Sequence, residues 1–303
     1  HLGRVQASTP QVVNVWNWSE YIAETTLQDF SDATGIAVNY TIFETNDEVL
    51  EAMQAGNPNG QDVIFPSSEY VESMVRSNLL DVLDHSLLTN VFNIDPFFMQ
   101  ASFDIGRAYS LPYFWGTVGL GFRRSVNNPT TWAEVFSPDS GLGRIGVMAT
   151  TDTIQAALKA LGYSANSTNS AQISEAADLV IAAKPHITKF LPDSASELLL
   201  SDEVDVAMDW NGSVLQAMDE DEGIGFVVPE EGSMLWEDTM CIPVGAPNRD
   251  NAHAFINYLL DAQVHATITN EVYFSSPNLA AREFIDPEIL NNPAIYLPAS
   301  LLA

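Results

Sequence analysis

The apolar run in residues 11–16 (QVVNVW) stops at the polar turn Asn17-Trp18-Ser19-Glu20, which predicts a strand and a loop. Leu27, Phe30 and Ala33 then fall on one helical face that Gly35 closes. Residues 36–43 predict a second strand. Asn46 is the expected cap of a helix carrying Val49, Leu50 and Met53, which Asn57-Pro58-Asn59-Gly60 stops. A short strand at 62–65 leads through Pro66-Ser67-Ser68 into a helix with Val71, Met74 and Val75.

The middle of the chain repeats the alternation. Thr131-Trp132-Ala133-Glu134 has capping-box spacing. Strands are predicted at 145–149, 204–210 and 224–228, and helices at 152–161, 173–183, after 211–213 and at 252–260. Strand–helix alternation of this kind predicts an α/β fold with a largely parallel sheet. Two β-prone stretches without a helical period, 115–122 and 239–244, are the expected crossings between two lobes. Lobe one is then discontinuous, 11–118 plus 245–303; lobe two is 119–244, and 1–10 is an N-terminal extension.

A length of 303 residues suits two domains, and 46% hydrophobic residues suffice for two cores. No apolar run is long enough to span a membrane, and residues 1–10 lack the basic, apolar and cleavage regions of a signal peptide. Forty acidic residues against 11 basic ones give a net charge of −29. Such a field is expected to repel nucleic acid and anionic membranes; it reads either as a surface adapted to salt and kept soluble by self-repulsion or as one that attracts a cationic ligand, and both can hold. The acidic run 219–222 is expected to be a solvated loop. The lone Cys241, in an apolar stretch with no neighbouring base, is expected to be a small buried hydrophobe.

Several motifs fail on context. Gly141-Leu142-Gly143-Arg144-Ile145-Gly146 matches G-x-G-x-x-G, but a strand is expected after it where the dinucleotide fingerprint needs a helix. The five histidines have no metal-ligand spacing. Glycosylation-type triplets at Asn17, Asn39, Asn166 and Asn211 are of a kind common by chance. No catalytic residues, metal or cofactor are expected. Aromatic and acidic residues do recur together at predicted strand ends: Trp18 with Glu20 and Tyr21, Glu69 with Tyr70, Asp209 with Trp210, and Trp236 with Glu237 and Asp238. Ligands of open α/β sheets bind at such ends. Carboxylates suit ammonium groups, and aromatic faces suit the methylene stem and the charge of an organic cation.

The segment Trp16-Asn17-Trp18-Ser19-Glu20-Tyr21-Ile22 closely resembles the opening motif of the spermidine/putrescine-binding proteins of ABC transporters. Similar segments follow in the same order, among them Phe43-Glu44-Thr45-Asn46, Leu111-Pro112-Tyr113-Phe114-Trp115-Gly116, Trp210-Asn211-Gly212-Ser213, Trp236-Glu237-Asp238 and Ser276-Pro277-Asn278-Leu279-Ala280-Ala281-Arg282. The resemblance runs from about Val12 to Pro298 and implies a two-lobed periplasmic-binding-protein-like (type II) fold with two interlobe crossovers and a ligand in the cleft. It implies ligand roles for Trp18, Ser19, Glu20, Tyr21, Ser67, Asp152, Trp210, Trp236, Asp238 and Phe274. Glu69 stands where spermidine-type members carry an aromatic residue, and it joins the set as an added acid. Ala149 and Ser213 stand where some members have acids, and Phe274 where a tyrosine is usual. The family usually continues into a further helix beyond the position of Ala303.

The function so implied is extracytoplasmic capture of putrescine or spermidine by a monomeric, periplasmic binding protein that works with the membrane permease of an ABC transporter. A polyamine-sensing module with a sensor partner would use the same ligand residues, and the same fold could bind another organic cation; the sequence leaves these open. An anion binder would need an arginine among the matched positions, and none is there.

Overall fold

The computed structural model describes residues 11–191 and 194–297. Strand β1 (Val12–Trp18), helix α1 (Thr26–Thr34), β2 (Ala37–Phe43), α2 (Asn46–Gln54), β3 (Val63–Ile64) and α3 (Ser68–Arg76) alternate before short 3-10 turns lead into the long strand β4 (Ser110–Arg123). Next come α4 (Trp132–Phe136), β5 (Ile145–Met148), α5 (Thr151–Ala160), α6 (Ser170–Ala183), β6 (Ile187–Leu191), α7 (Ser196–Leu200), β7 (Val206–Trp210), α8 (Asn211–Glu220) and β8 (Ile224–Val227). The chain continues through β9 (Leu235–Cys241), α9 (Arg249–Leu259), α10 (Ala262–Val272) and α11 (Pro287–Leu290).

Two compact units result. Of the described residues, the first takes 11–115 with Glu237–Val272 and Ser276–Asp286; the second takes those of Gly116–Trp236, Tyr273–Ser275 and 287–297. The boundaries fall inside β4 and β9, the latter ahead of the expected crossing at 239–244. Nor do the described residues of the stretch 245–303 stay in one lobe. Asn211 Nδ2 donates to the Ala294 carbonyl (3.0 Å) and Ser275 Oγ to that of Ile295, which tie these residues into the second unit.

In the first unit β1 is parallel to β2 and β3, and β9 joins β3 antiparallel through Ile64 and Cys241. Strand β1 runs two residues past the expected stop at Trp16, because its register with β2 holds until Trp18 faces Phe43. Its inward residues are Val13, Val15 and Asn17, all buried. Helix α1 buries Phe30 edge-on against Phe255 of α9, with centroids 5.1 Å apart. Thr45, not Asn46, caps α2: its hydroxyl accepts from Glu48 N.

In the second unit β5 is parallel to β6 and β7, but β4 is antiparallel to both β7 and β8, so the expected parallel sheet is mixed. The capping box of Thr131 and Glu134 forms, and it seats the fully buried Trp132 in the core with Val118, Leu120, Val147 and Met208. The glycine-rich 141–146 stretch is a loop running into β5, with no helix to bind phosphate. The acidic run is not all loop: Asp219 and Glu220 end α8, and Asp221 Oδ1 accepts from Gly223 N (2.8 Å). Among the described residues no His, Cys, Asp or Glu cluster could hold a metal, and no helix is long and apolar enough to cross a membrane. Cys241 is buried, and burial pushes its thiol up to about 12.

Candidate functional site

In the first unit Tyr21 and Ser67 meet at Asp238. The short pairing of Ser67 with Asp238 brings the segment before α3 against β9. Asp238 Oδ1 accepts from Ser67 Oγ (2.6 Å) and Oδ2 from Tyr21 Oη (2.8 Å). Burial pushes the Asp238 carboxyl up to about 7; the two hydrogen bonds pull the other way, and the charges of Glu69 and Glu237 add to the rise. Among the described residues Asp238 makes no ion pair. Tyr21 is buried, with its ring 5.4 Å from that of Tyr113 and 5.5 Å from that of Phe114.

The loop after β1 is held from behind. Tyr113 Oη donates to the Tyr21 carbonyl (2.7 Å), and Glu20 sits at φ 50°, a left-handed conformation uncommon for a side-chain-bearing residue. Ser19 and Glu20 are exposed. Trp18 is half-buried, packs against Phe43 with the rings 4.3 Å apart and tilted at 55°, and donates its indole N–H to the Phe65 carbonyl (2.9 Å). Glu69 is exposed on the first turn of α3.

Two of the acid–aromatic pairs separate by role. Successive side chains of a strand point to opposite faces, so Glu237 turns away from Asp238. It forms a buried two-pronged ion pair with Arg107, Nη1–Oε1 at 2.8 Å and Nη2–Oε2 at 2.9 Å. Burial raises the Glu237 carboxyl pKa, opposed by Arg107. Asp209 is fully buried; its oxygens accept from Ser194 Oγ and from the backbone N–H groups of Ala195, Ser196 and Trp210. It ties the start of α7 to the end of β7 and is not placed to receive a ligand.

The second unit holds Asp152, Trp210, Trp236 and Phe274. The Trp236 and Phe274 rings meet edge-on, 5.5 Å apart at 77°. Trp210 closes β7 and precedes α8, packing half-buried against the core. Asp152 lies in the first turn of α5, accepts from Thr150 Oγ1 (2.7 Å), and burial raises its carboxyl. Its neighbour Thr153 reaches β7, with Oγ1 3.5 Å from Met208 Sδ.

The supporting roles of four residues were not evident from the sequence. Asn46 Oδ1 accepts from Ser67 N (2.9 Å) and its Nδ2 donates to Ser67 Oγ (3.0 Å), which aims that hydroxyl at Asp238. Arg107 comes from a stretch that carries no motif, and Tyr113, though part of the recognised segment 111–116, gives no local sign of its bond to the Tyr21 carbonyl. Asn211, part of a recognised segment, holds Thr117 N (3.2 Å).

The chain matches the family described as bacterial extracellular solute-binding protein over residues 25–296. It is 30% identical to the spermidine/putrescine-binding periplasmic protein of Salmonella typhimurium over 305 residues, covering 100% of this chain and 88% of that one. It is 33% identical to the putrescine/cadaverine-binding protein of Pseudomonas aeruginosa, covering 99% and 89%. The spermidine/putrescine ABC transporter substrate-binding protein PotD of Streptococcus pneumoniae, solved with calcium and HEPES, superposes with a TM-score of 0.86 at 31% identity, over 94% of this chain and 89% of that one. The α/β architecture is that of the periplasmic-binding-protein-like fold.

Proposed function

Because the chain belongs to the bacterial extracellular solute-binding protein family, we propose that it captures a polyamine, putrescine or spermidine, in the periplasm and delivers it as a monomer to the membrane permease of an ABC transporter. The observation that carries this is Asp238: a buried carboxylate whose partners are two hydroxyls, with no cation paired to it among the described residues. A buried carboxylate without a counter-charge is costly, and an ammonium group removes that cost. The candidate ligand residues are Trp18, Ser19, Glu20, Tyr21, Ser67, Glu69 and Asp238 in the first unit, and Asp152, Trp210, Trp236 and Phe274 in the second. The aromatic faces take the methylene stem and add cation–π attraction of about 0.5–2 kcal/mol each. No arginine belongs to the set; Arg107 is spent on Glu237, which supports a cation over an anion as ligand. Binding alone, with no chemical step, is the proposed activity.

Calorimetry with putrescine, cadaverine, spermidine and spermine, beside a sugar, an amino acid and a dicarboxylate, tests the proposal. Heat is expected from diamines or triamines only. Tight binding of the sugar or the acid with no heat from any amine overturns it.

A further inference from the structure

We propose that Gly116 and Gly212 are positioning residues that decide between diamine and triamine, by fixing how deeply the Trp236 and Phe274 rings sink into the second unit. This rests on the polyamine reading above.

Neither glycine has a positive φ. Their backbone conformations are open to any residue, so what they supply is room. A Cβ on Gly116 would lie 2.8 Å from Trp236 Cε2 and closer still to Cζ2 and to Asn211 Oδ1. A Cβ on Gly212 would overlap the Cδ1–Cε1–Cζ edge of Phe274. Each ring therefore lies directly on main chain, where close-packed interiors leave no space for a methyl group. Asn211 cannot readily yield: Oδ1 accepts from Thr117 N (3.2 Å) and Nδ2 donates to the Ala294 carbonyl (3.0 Å). The ring must move instead. Since Trp236 and Phe274 touch edge-on, lifting one displaces the other. A raised aromatic wall takes space from the ligand stem, and a triamine needs more of that space than a diamine.

The test compares Gly116→Ala and Gly212→Ala with the wild-type chain by calorimetric titration of putrescine and spermidine, each variant's fold being checked by thermal melting. Overpacking of this size should raise the spermidine Kd about tenfold more than the putrescine Kd. Pairing each alanine with a smaller ring, Gly116→Ala with Trp236→Phe and Gly212→Ala with Phe274→Leu, should move the ratio back. Where a single alanine variant does not fold, Phe274→Leu alone should shift the ratio toward spermidine. Equal changes for both amines, or an unmoved ratio in Phe274→Leu, overturn the proposal. If the wild-type chain binds neither amine, the polyamine reading itself falls, a result separable from an unmoved ratio in a chain that binds.

Discussion

Tyr21 and Asp238, 217 positions apart in the chain, share a 2.8 Å hydrogen bond from hydroxyl to carboxylate. The Tyr21 ring is wedged between Tyr113 and Phe114, so its hydroxyl has little freedom to turn elsewhere. Ser67, aimed by Asn46, supplies the second donor. Each such bond contributes only about 1 kcal/mol net, whereas burying a lone carboxylate costs several. Burial wins, and the carboxyl is pushed up to about 7. Tyr21→Phe removes a bond that favours the charged form and should push that value higher.

Asp238→Asn keeps the shape and removes the charge. An ammonium left without its buried partner loses roughly 2–5 kcal/mol. Affinity for putrescine or spermidine should fall at least about 30-fold in calorimetry. The control is Glu222→Gln, an exposed acid whose loss changes the net charge equally. Asp221 is unsuitable, since it holds Gly223 N and approaches Arg123 at 3.7 Å. Unchanged affinity in Asp238→Asn, or an equal loss in the control, would remove Asp238 from the site.

Capture should depend on pH. An ammonium needs the ionised carboxylate, so below about pH 7 each bound amine displaces a proton from Asp238. Affinity should be flat above that point and fall about tenfold per unit below it. In the unfolded chain an aspartate ionises near about 3.9. Between that value and about 7 the folded ligand-free protein holds the extra proton, so this residue makes it less stable as pH rises through the window. His265, whose pKa burial lowers to about 4, acts oppositely: it withdraws stability as pH falls from its unfolded value through that range. Titrations at pH 6 in buffers of different ionisation enthalpy should show nearly one proton released, and at pH 8 almost none. Buffer-independent heats at pH 6 would contradict the coupling.

Much of the alternation was legible because period and punctuation are local: the Thr131–Glu134 box, the stop at Gly35 and the long β run of β4 need only neighbours in sequence. What failed depended on distant partners. Asn46 looks like a cap, but the pairing of Ser67 with Asp238 draws its side chain away and leaves the cap to Thr45. Asp209 and Glu237 sit beside tryptophans as a ligand acid would, yet both are claimed internally, by backbone N–H groups and by Arg107. Strand parity separates Glu237 from Asp238, and that parity is read only once the strand's bounds are known. The glycines under Trp236 and Phe274 lie in recognised segments, but their role carries no local signal, because the rings arrive from 120 and 62 positions away.

The Arg107–Glu237 pair is expected to be structural. Both side chains are nearly inaccessible, and Arg107 also donates to the Phe98 carbonyl (2.8 Å). Arg107→Met strands a buried carboxylate and should destabilise the protein by about 3–5 kcal/mol. Adding Glu237→Leu removes that orphan and should recover a large part. Denaturant melts of the two variants decide it; a double variant no more stable than the single would locate the loss in the Phe98 contact instead.

Glu69 is expected to separate the two amines. It sits in the first turn of α3, two residues beyond Ser67, and its charge raises the Asp238 carboxyl pKa. An acid that influences Asp238 through space is also placed to attract an ammonium bound there, and a triamine carries one more ammonium than a diamine. Its exposure limits the gain, as for any solvent-screened pair. Glu69→Gln should therefore weaken spermidine by up to about fivefold and leave putrescine nearly unchanged. The same variant should move the pH midpoint of capture downward, since Asp238 loses a neighbouring negative charge. Calorimetry with both amines across pH 6–8 reads both effects. A midpoint that moves while both amines weaken equally would confine Glu69 to the electrostatics of Asp238; equal weakening with a fixed midpoint would remove it from the site.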